Sequence, residues 1–235
     1  MNYSHDIFSR TKLLLGEQRM ARMAECHVLL FGVGGVGSWC AETLIRSGIG
    51  HLTMVDGDTV VPSNINRQLM ATTATLGQYK VGVLRERLQL INPEAVINAM
   101  VRRYNADTAD TFHLADYDFV IDAIDSLTDK AMLINHATRT EGVQLISSMG
   151  AARKLDPTRI KIADFRKVTG DPLARTLRHK FKSLGVFPDR RFLCVYSDEV
   201  LPNAHESDDR INGSIAHITA IFGHMLASVV INSLY

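Results

Sequence analysis

Apolar residues along this chain alternate between two rhythms. Short unbroken runs stand at His27-Val-Leu-Leu-Phe31, Leu52-Thr-Met-Val55, Ala95–Val101, Phe119-Val-Ile121 and Val143–Ser147. All five read as strands, the first of them as a buried strand ending at glycines. Between them lie stretches with helical character: Ser38–Ser47, closed by Gly48 and Gly50; Thr75–Ile91, stopped by Asn92-Pro93; a short one over Asp107–Leu114; and Leu127–Thr140. Ahead of the first strand, Leu13–Ala24 predicts an amphipathic helix, with Leu14, Met20 and Met23 set against Arg19 and Arg22. This alternation calls for a Rossmann-like, doubly wound, mostly parallel α/β sheet with helices on both faces.

After Gly150 the rhythm changes. Arg159–Phe165 predicts an antiparallel strand, Asp171-Pro172 opens a basic helix to Leu184, Phe192–Tyr196 is another strand, and Ser214–Leu234 is a final long helix. The boundary falls near residue 150. Residues 151–235 are too few for a confident independent core and are expected to pack on the same sheet as residues 1–150. The stretch Ile215–Ile231 holds His217 and His224 and is short for a membrane span, so a buried core helix is expected.

Bulk composition narrows the class. With 235 residues, 46% hydrophobic and 22% charged, the chain has enough material for one sizeable core. The polar, charged opening MNYSHDIFSRTK does not read as a signal peptide. Cys26, Cys40 and Cys194 are widely spaced and form no C-x-x-C pair. This argues against a disulfide framework and against a zinc site of that type, and it fits a reducing cytoplasm. The net charge of +1 hides a basic middle segment: residues 153–191 carry 12 Lys and Arg against 4 Asp and Glu. Such a segment can meet a polyanion, although a solvated helix surface would look the same.

The first candidate chemistry is Gly32-Val-Gly34-Gly35-Val-Gly37, which follows a strand and opens a helix. Glycines there allow a tight turn and close approach of a phosphate, and the helix N-terminus adds free N–H groups. Asp56 ends the next strand, where a carboxylate can accept from a ribose. These features suit NAD(H) and ATP about equally, and the spacing is not that of a P-loop. The segment after the second strand favours ATP. Asp56-Gly-Asp58-Thr-Val-Val-Pro-Ser63-Asn64-Ile-Asn66-Arg67-Gln68 is dense in polar groups. Arg67 can pair bidentately with phosphate oxygens, and Asn64 and Gln68 can orient phosphates or ribose. Lys80 reads as a mobile second cation near a helix start. Asp122-Ala-Ile-Asp125 lies beyond the fourth strand, where Asp125 can hold Mg²⁺ against phosphates and Asp122 suits a structural role.

Taken together, Gly32-x-Gly-Gly-x-Gly-Ser38, Asp56-x-Asp58-x-Val-x-x-Ser63-Asn-x-x-Arg67-Gln68, Gly77-x-x-Lys80 and Asp122-x-x-Asp125 resemble the ubiquitin-activating-enzyme superfamily. Its bacterial members adenylate the C-termini of sulfur-carrier proteins. The resemblance implies an adenylation domain over residues 1–150. It implies ATP binding by Gly32, Gly34, Gly35, Gly37, Asp56, Asp58, Ser63, Asn64, Arg67, Gln68, Lys80, Asp125 and Ser126, with Mg²⁺ near Asp125. It also implies a homodimer in which Arg10 reaches the partner's site.

The second half resembles the tRNA-modifying branch, the threonylcarbamoyladenosine dehydratases. The matching pieces are Ile121-Asp-Ala-Ile-Asp-Ser126, Asp156-Pro-Thr-x-Ile160, Asp171-Pro-Leu-Ala174, Cys194-Val-Tyr-Ser197 and Thr219-Ala-Ile-Phe-Gly223. The chain departs by being compact between Glu199 and Gly213 and by lacking a cysteine before the last helix. Cys194 reads as a buried strand residue, so no thioester step is expected. The resemblance implies ATP and Mg²⁺, a tRNA substrate, and Arg67, Lys80, Asp125 and the partner's Arg10 as catalytic groups. Arg166, Lys167, Arg175, Arg178, Lys180 and Lys182 are then candidates for the phosphates of a tRNA stem. Within the superfamily the alternative is adenylation of a carrier protein's C-terminus, and a sulfur-transfer partner stays possible.

Overall fold

The structure is a computed structural model that describes residues 7–205 and 212–234. Residues 206–211, part of the compact segment between Glu199 and Gly213, lie outside it. Seven strands form one sheet: β1 (His27–Phe31), β2 (His51–Val55), β3 (Val96–Met100), β4 (Phe119–Asp122), β5 (Gln144–Ser148), β6 (Ile160–Asp164) and β7 (Leu193–Ser197). Their order is β3-β2-β1-β4-β5-β7-β6. All neighbours run parallel except β6 and β7, which are antiparallel. Residue 150 therefore falls between two strands of one continuous sheet.

The helices are α1 (Ser9–Leu15), α2 (Glu17–Glu25), α3 (Gly37–Ser47), α4 (Lys80–Ile91), α5 (Leu127–Arg139), α6 (Pro172–Leu184) and α7 (Ala216–Ser233). Strand side chains alternate between two cores, as the pleat requires. On one face Val28, Leu30, Leu52, Met54 and Ile121 pack against α3, α4 and α7. On the other face Leu29, Phe31, Val120 and Leu145 pack against α5 and α6. The apolar α7 buries Ile218, Phe222, Leu226 and Val230 in the first core. It is the one helix among the described residues long and apolar enough to cross a membrane.

Three expectations need correction. The predicted helix over Leu13–Ala24 is two helices, broken at Gly16, whose φ of +80° no helix residue adopts. Leu14 consequently faces outward with Leu13, while Met23 alone of that apolar set is fully buried. The helix predicted from Thr75 starts at Lys80, because Thr75 closes a turn with Met70 and Thr72 and Thr59 bridges to Tyr79. The short helix over Asp107–Leu114 is two single 3₁₀ turns, Ala109–Thr111 and Leu114–Asp116.

Below the carboxyl end of β4 sits an ion pair with no solvent contact. Lys130 Nζ lies 2.8 Å from Asp122 Oδ2, and both side chains are fully buried. Ser147 Oγ donates to Asp122 Oδ2 at 2.6 Å, Ile124 N–H donates to Oδ1, and Lys130 also donates to the Ile124 carbonyl. Removing one member leaves the other charged in an apolar medium. Lys130→Met is expected to lower unfolding stability by about 3–5 kcal/mol, read by urea denaturation. A loss below about 1 kcal/mol, the scale of a surface pair, would show that the pair does not brace the turn.

Candidate functional site

The strand order reverses at β1 and β4, and there the sheet opens its ligand crevice. Register places Phe31 opposite both Val55 and Asp122. Gly32, Asp56 and Ala123 therefore emerge side by side at the carboxyl edge. The Gly32 N–H donates to the Val55 carbonyl at 2.8 Å, and the Ala123 N–H to the Phe31 carbonyl at 2.9 Å. Above this edge lies a cleft of 870 Å³, lined by Gly32, Gly34, Gly35, Asp56, Asp58, Arg67, Gln68, Lys80, Asp125 and Ser126 among others. That size suits a nucleotide-sized ligand.

The glycines divide by role. A side chain at Gly37 would strike the Gly32 carbonyl oxygen at 1.8 Å, and one at Gly32, where φ is +84°, would strike the Ala123 carbonyl. These two let the loop close onto α3, and Gly37 does not reach the cleft wall. A methyl at Gly35 would stand 3.3 Å from Arg67 Cγ and Thr219 Cβ, on the cleft side. Gly34 and Gly35 thus keep the backbone bare where a ligand would lie.

The loop is held from outside. Asp56 Oδ2 accepts the Val33 N–H and Oδ1 accepts the Asp58 N–H, each at 2.9 Å. Ser38 Oγ donates to the Gly34 carbonyl at 2.7 Å and accepts the Leu69 N–H. Trp39 Nε1 donates to the Arg67 carbonyl. Arg67 itself is aimed by the Ser63 carbonyl and by Asn66 Oδ1, both at 2.9 Å. The bracing roles of Ser38, Trp39 and Asn66 are invisible in sequence, since a hydroxyl, an indole and an amide gain such roles only through the fold.

Lys80 is not a mobile cation. Its side chain is buried at the first residue of α4 and pairs with Asp58 at 3.0 Å. Arg103 meets the other Asp58 oxygen at 2.6 Å. Partial burial would raise the Asp58 pKa, but the Lys80 hydrogen bond and charge, with Arg103 added, outweigh it and hold the carboxyl below its ordinary range. Arg102, Arg103 and Tyr104 line the cleft and were missed, because they follow β3 in a stretch without a recognisable motif.

Other predicted residues fall elsewhere. Ser63 is exposed, and Asn64 is buried with Oδ1 accepting the Val61 N–H; neither lines the cleft. Gln68 does, and its buried Oε1 has no protein partner. Asp125 stands exposed at the cleft, while Ser126 caps α5 by accepting the Asp129 N–H. Arg10 is exposed on α1 and does not line this chain's own cleft.

Of the six basic candidates, Arg166, Lys167, Arg175 and Lys182 are exposed. Arg178 instead turns inward, donating to the Phe165 and Val168 carbonyls and lying 5.0 Å from the Phe165 ring centroid. Lys180 donates to Thr128 at 3.1 Å.

A second buried cation closes the far side of the cleft. Lys154 Nζ donates to the Ser197 and Glu199 carbonyls at 3.0 and 2.6 Å and lies 3.9 Å from Asp171 Oδ2. Burial lowers the Lys154 pKa and raises that of Asp171. The three thiols are buried, and burial pushes Cys26 up to about 12, with Cys40 and Cys194 also well above their ordinary value. None is poised as a nucleophile.

Fold and cleft together define a doubly wound α/β protein with a glycine-lined, cation-flanked crevice at its switch point. The chain belongs to the ThiF family, which matches residues 8–235. It is 41% identical over 192 residues to the tRNA threonylcarbamoyladenosine dehydratase of Bacillus subtilis (strain 168), covering 82% of this chain and 74% of that protein. It is 38% identical to the protein of the same name from Haemophilus influenzae, covering 92% and 88%. A crystal structure of the Escherichia coli enzyme in complex with ATP superposes with a TM-score of 0.89 at 34% identity, covering 100% of this chain and 96% of that one.

Gly35→Ala tests the bare wall. The new methyl would stand 3.3 Å from Arg67 Cγ and Thr219 Cβ at the cleft wall, a fit tight enough to shift both only slightly. Calorimetry is expected to show ATP affinity reduced about tenfold or more, ~1.4 kcal/mol, with the melting temperature near that of the wild type. Undiminished ATP binding would place the nucleotide elsewhere.

Proposed function

We propose that this chain catalyses the ATP-dependent cyclising dehydration of threonylcarbamoyladenosine in tRNA, through adenylation of that group's carboxylate. One observation carries the reading: Arg67 and Lys80, both fixed by protein partners, flank the bare Gly34–Gly35 wall of the cleft. The named activity of relatives matched along most of their length supports the same substrate.

The chemistry rests on the groups present. A carboxylate oxygen of the substrate attacks the α-phosphorus of ATP, and pyrophosphate leaves. Arg67 and Lys80 counter the charge that develops on the phosphates, and because they are held beforehand they need little reorganisation. Asp56 keeps unused lone pairs for ribose hydroxyls, and the orphaned Gln68 Oε1 offers a further acceptor. The neighbouring carbamoyl group then attacks the acyl carbon and AMP departs, carrying the former carboxylate oxygen. A proton is released and the net change is loss of one water. Ring closure is intramolecular, so it needs positioning more than an enzyme nucleophile. That agrees with the buried, unreactive thiols.

Among the described residues no three His, Cys, Asp or Glu cluster as a metal cage. A magnesium ion would rest on Asp125 and on the nucleotide's own phosphates, the usual way this ion is bound, and would neutralise phosphate charge there. A ligase-type homodimer in the cytoplasm is part of the reading. Exposed Leu13 and Leu14 on α1, beside Arg10, supply an apolar face for such a dimer. Residues 1–150 then form the adenylating half and residues 151–235 the half that meets tRNA. Adenylation of a carrier protein's C-terminus is the lesser reading, as the sequence lacks the paired C-x-x-C motifs that usually accompany it.

The test is mass spectrometry of nucleosides from modified tRNA after incubation with enzyme, ATP and Mg²⁺. Threonylcarbamoyladenosine is expected to lose the mass of one water. Arg67→Ala is expected to slow this by about 10²–10³-fold. An unchanged nucleoside with folded, ATP-binding enzyme would reject the tRNA substrate.

A further inference from the structure

A second cavity, of 620 Å³, lies under the carboxyl half of α6 and outside the cleft described above. Its floor is aromatic. Phe165 stacks on Phe192 with centroids 5.0 Å apart, and Phe181 meets Phe165 edge-on at 6.0 Å. All three are buried, but Phe187, on the same cavity, is 56% exposed. An aromatic ring left in water beside an apolar hollow marks an unfilled contact surface.

The rim is cationic. Arg166, Lys182 and Arg191 border the cavity, are exposed, and make no ion pair with any described residue. Asp164 also borders it, its Oδ1 taken by the Arg166 backbone N–H at 2.8 Å. Arg190, also on the rim, is occupied by the carbonyls of Ala137, Thr138 and Thr140 at the end of α5, which fixes the loop that carries Phe187. A flat apolar group joined to an anion would satisfy both floor and rim, and that is the make-up of an unstacked nucleotide.

Position links the two sites. Leu173 and Thr176 of α6 line the ATP cleft, and Phe181 and Lys182 line this cavity. From Leu173 to Phe181 the helix rises about 12 Å, a separation that a single splayed RNA loop can bridge. Single-stranded loops are also where proteins take up bases by stacking.

We propose that this cavity is a base-capturing subsite. It would hold one unstacked nucleotide of the tRNA, near the modified one in the loop, with its base against Phe187 and its phosphate by Arg166 and Arg191. The inference rests on the tRNA reading above for the identity of the nucleic acid.

The test is binding of a fluorescent, unmodified tRNA transcript to full-length enzyme, followed by anisotropy across salt concentrations. Phe187→Ala is expected to weaken binding about tenfold, the effect of one lost stacked base, and Phe187→Trp to retain it. Arg191→Ala is expected to weaken binding and to reduce the salt slope by about one unit. ATP affinity by calorimetry serves as the folding control. Wild-type tRNA affinity in Phe187→Ala would overturn the proposal and leave the cavity to an apolar segment of a protein partner. Because the transcript is unmodified, this outcome is independent of turnover. Phe187-dependent binding by an enzyme that fails to dehydrate modified tRNA would strike the activity and leave the subsite standing.

Discussion

The Asp56 carboxylate ties the Val33 N–H of the glycine loop to the Asp58 N–H of the following turn. A loop of small residues has no side chains with which to hold its own shape, so its geometry depends on such outside contacts. Asp56 is placed by register, since its own N–H donates to the Met100 carbonyl at the end of β3. Through it the carboxyl ends of β1, β2 and β3 share one turn of chain. Ser38 and Trp39 complete the clamp from α3, fastening the Arg67 segment over the loop. A cleft built this way presents fixed N–H groups and fixed cations to a phosphate before it arrives.

Buried charge shapes the rest of the cleft. Lys80, Lys130 and Lys154 are all buried, and each is matched: Lys80 by Asp58, Lys130 by Asp122, Lys154 by two carbonyls with Asp171 nearby. Burying an unmatched ammonium would be far more costly than any of these pairs is stabilising. The pairs therefore act less as glue than as positioning devices. Asp122–Lys130 shapes the turn that presents Asp125, and Asp58, shared with Arg103, fixes Lys80 at the cleft wall. Arg153, next to Lys154, holds a positive φ of 61° and donates to the Leu201 carbonyl at 2.5 Å. The backbone there is bent to bring the second half of the chain over the site.

Much of this was legible in the sequence. Short apolar runs announced β1, β2, β4 and β5 because both faces of each are covered, whereas β3 lies at the sheet edge with one face open. Gly32–Gly37, Asp56, Arg67 and Asp125 announced the crevice because their spacing places them all at one sheet edge. Local pattern failed where long-range contact decides. Thr75 carries no mark of the turn it closes, and a single Gly16 was enough to split one helix into two. Lys80 and Arg178 look like solvent-facing cations in sequence. Their partners lie in Asp58 and in the Phe165 and Val168 carbonyls, which only the fold brings near. Ser63 and Asn64 match a motif, yet their place is behind Arg67 rather than at the cleft wall.

The amino end of α6 borders the cleft and its carboxyl end borders the aromatic cavity. With RNA held as proposed, substrate and nucleotide would share one rigid element. The central chemical claim is that the substrate's own carboxylate attacks the α-phosphorus. The direct measurement uses tRNA whose threonylcarbamoyl carboxylate carries heavy oxygen, followed by mass analysis of the nucleotide products. Attack at the α-phosphorus gives AMP bearing one labelled oxygen, with pyrophosphate unlabelled. Formation of ADP with label in inorganic phosphate would contradict it, since that result requires attack at the γ-phosphorus.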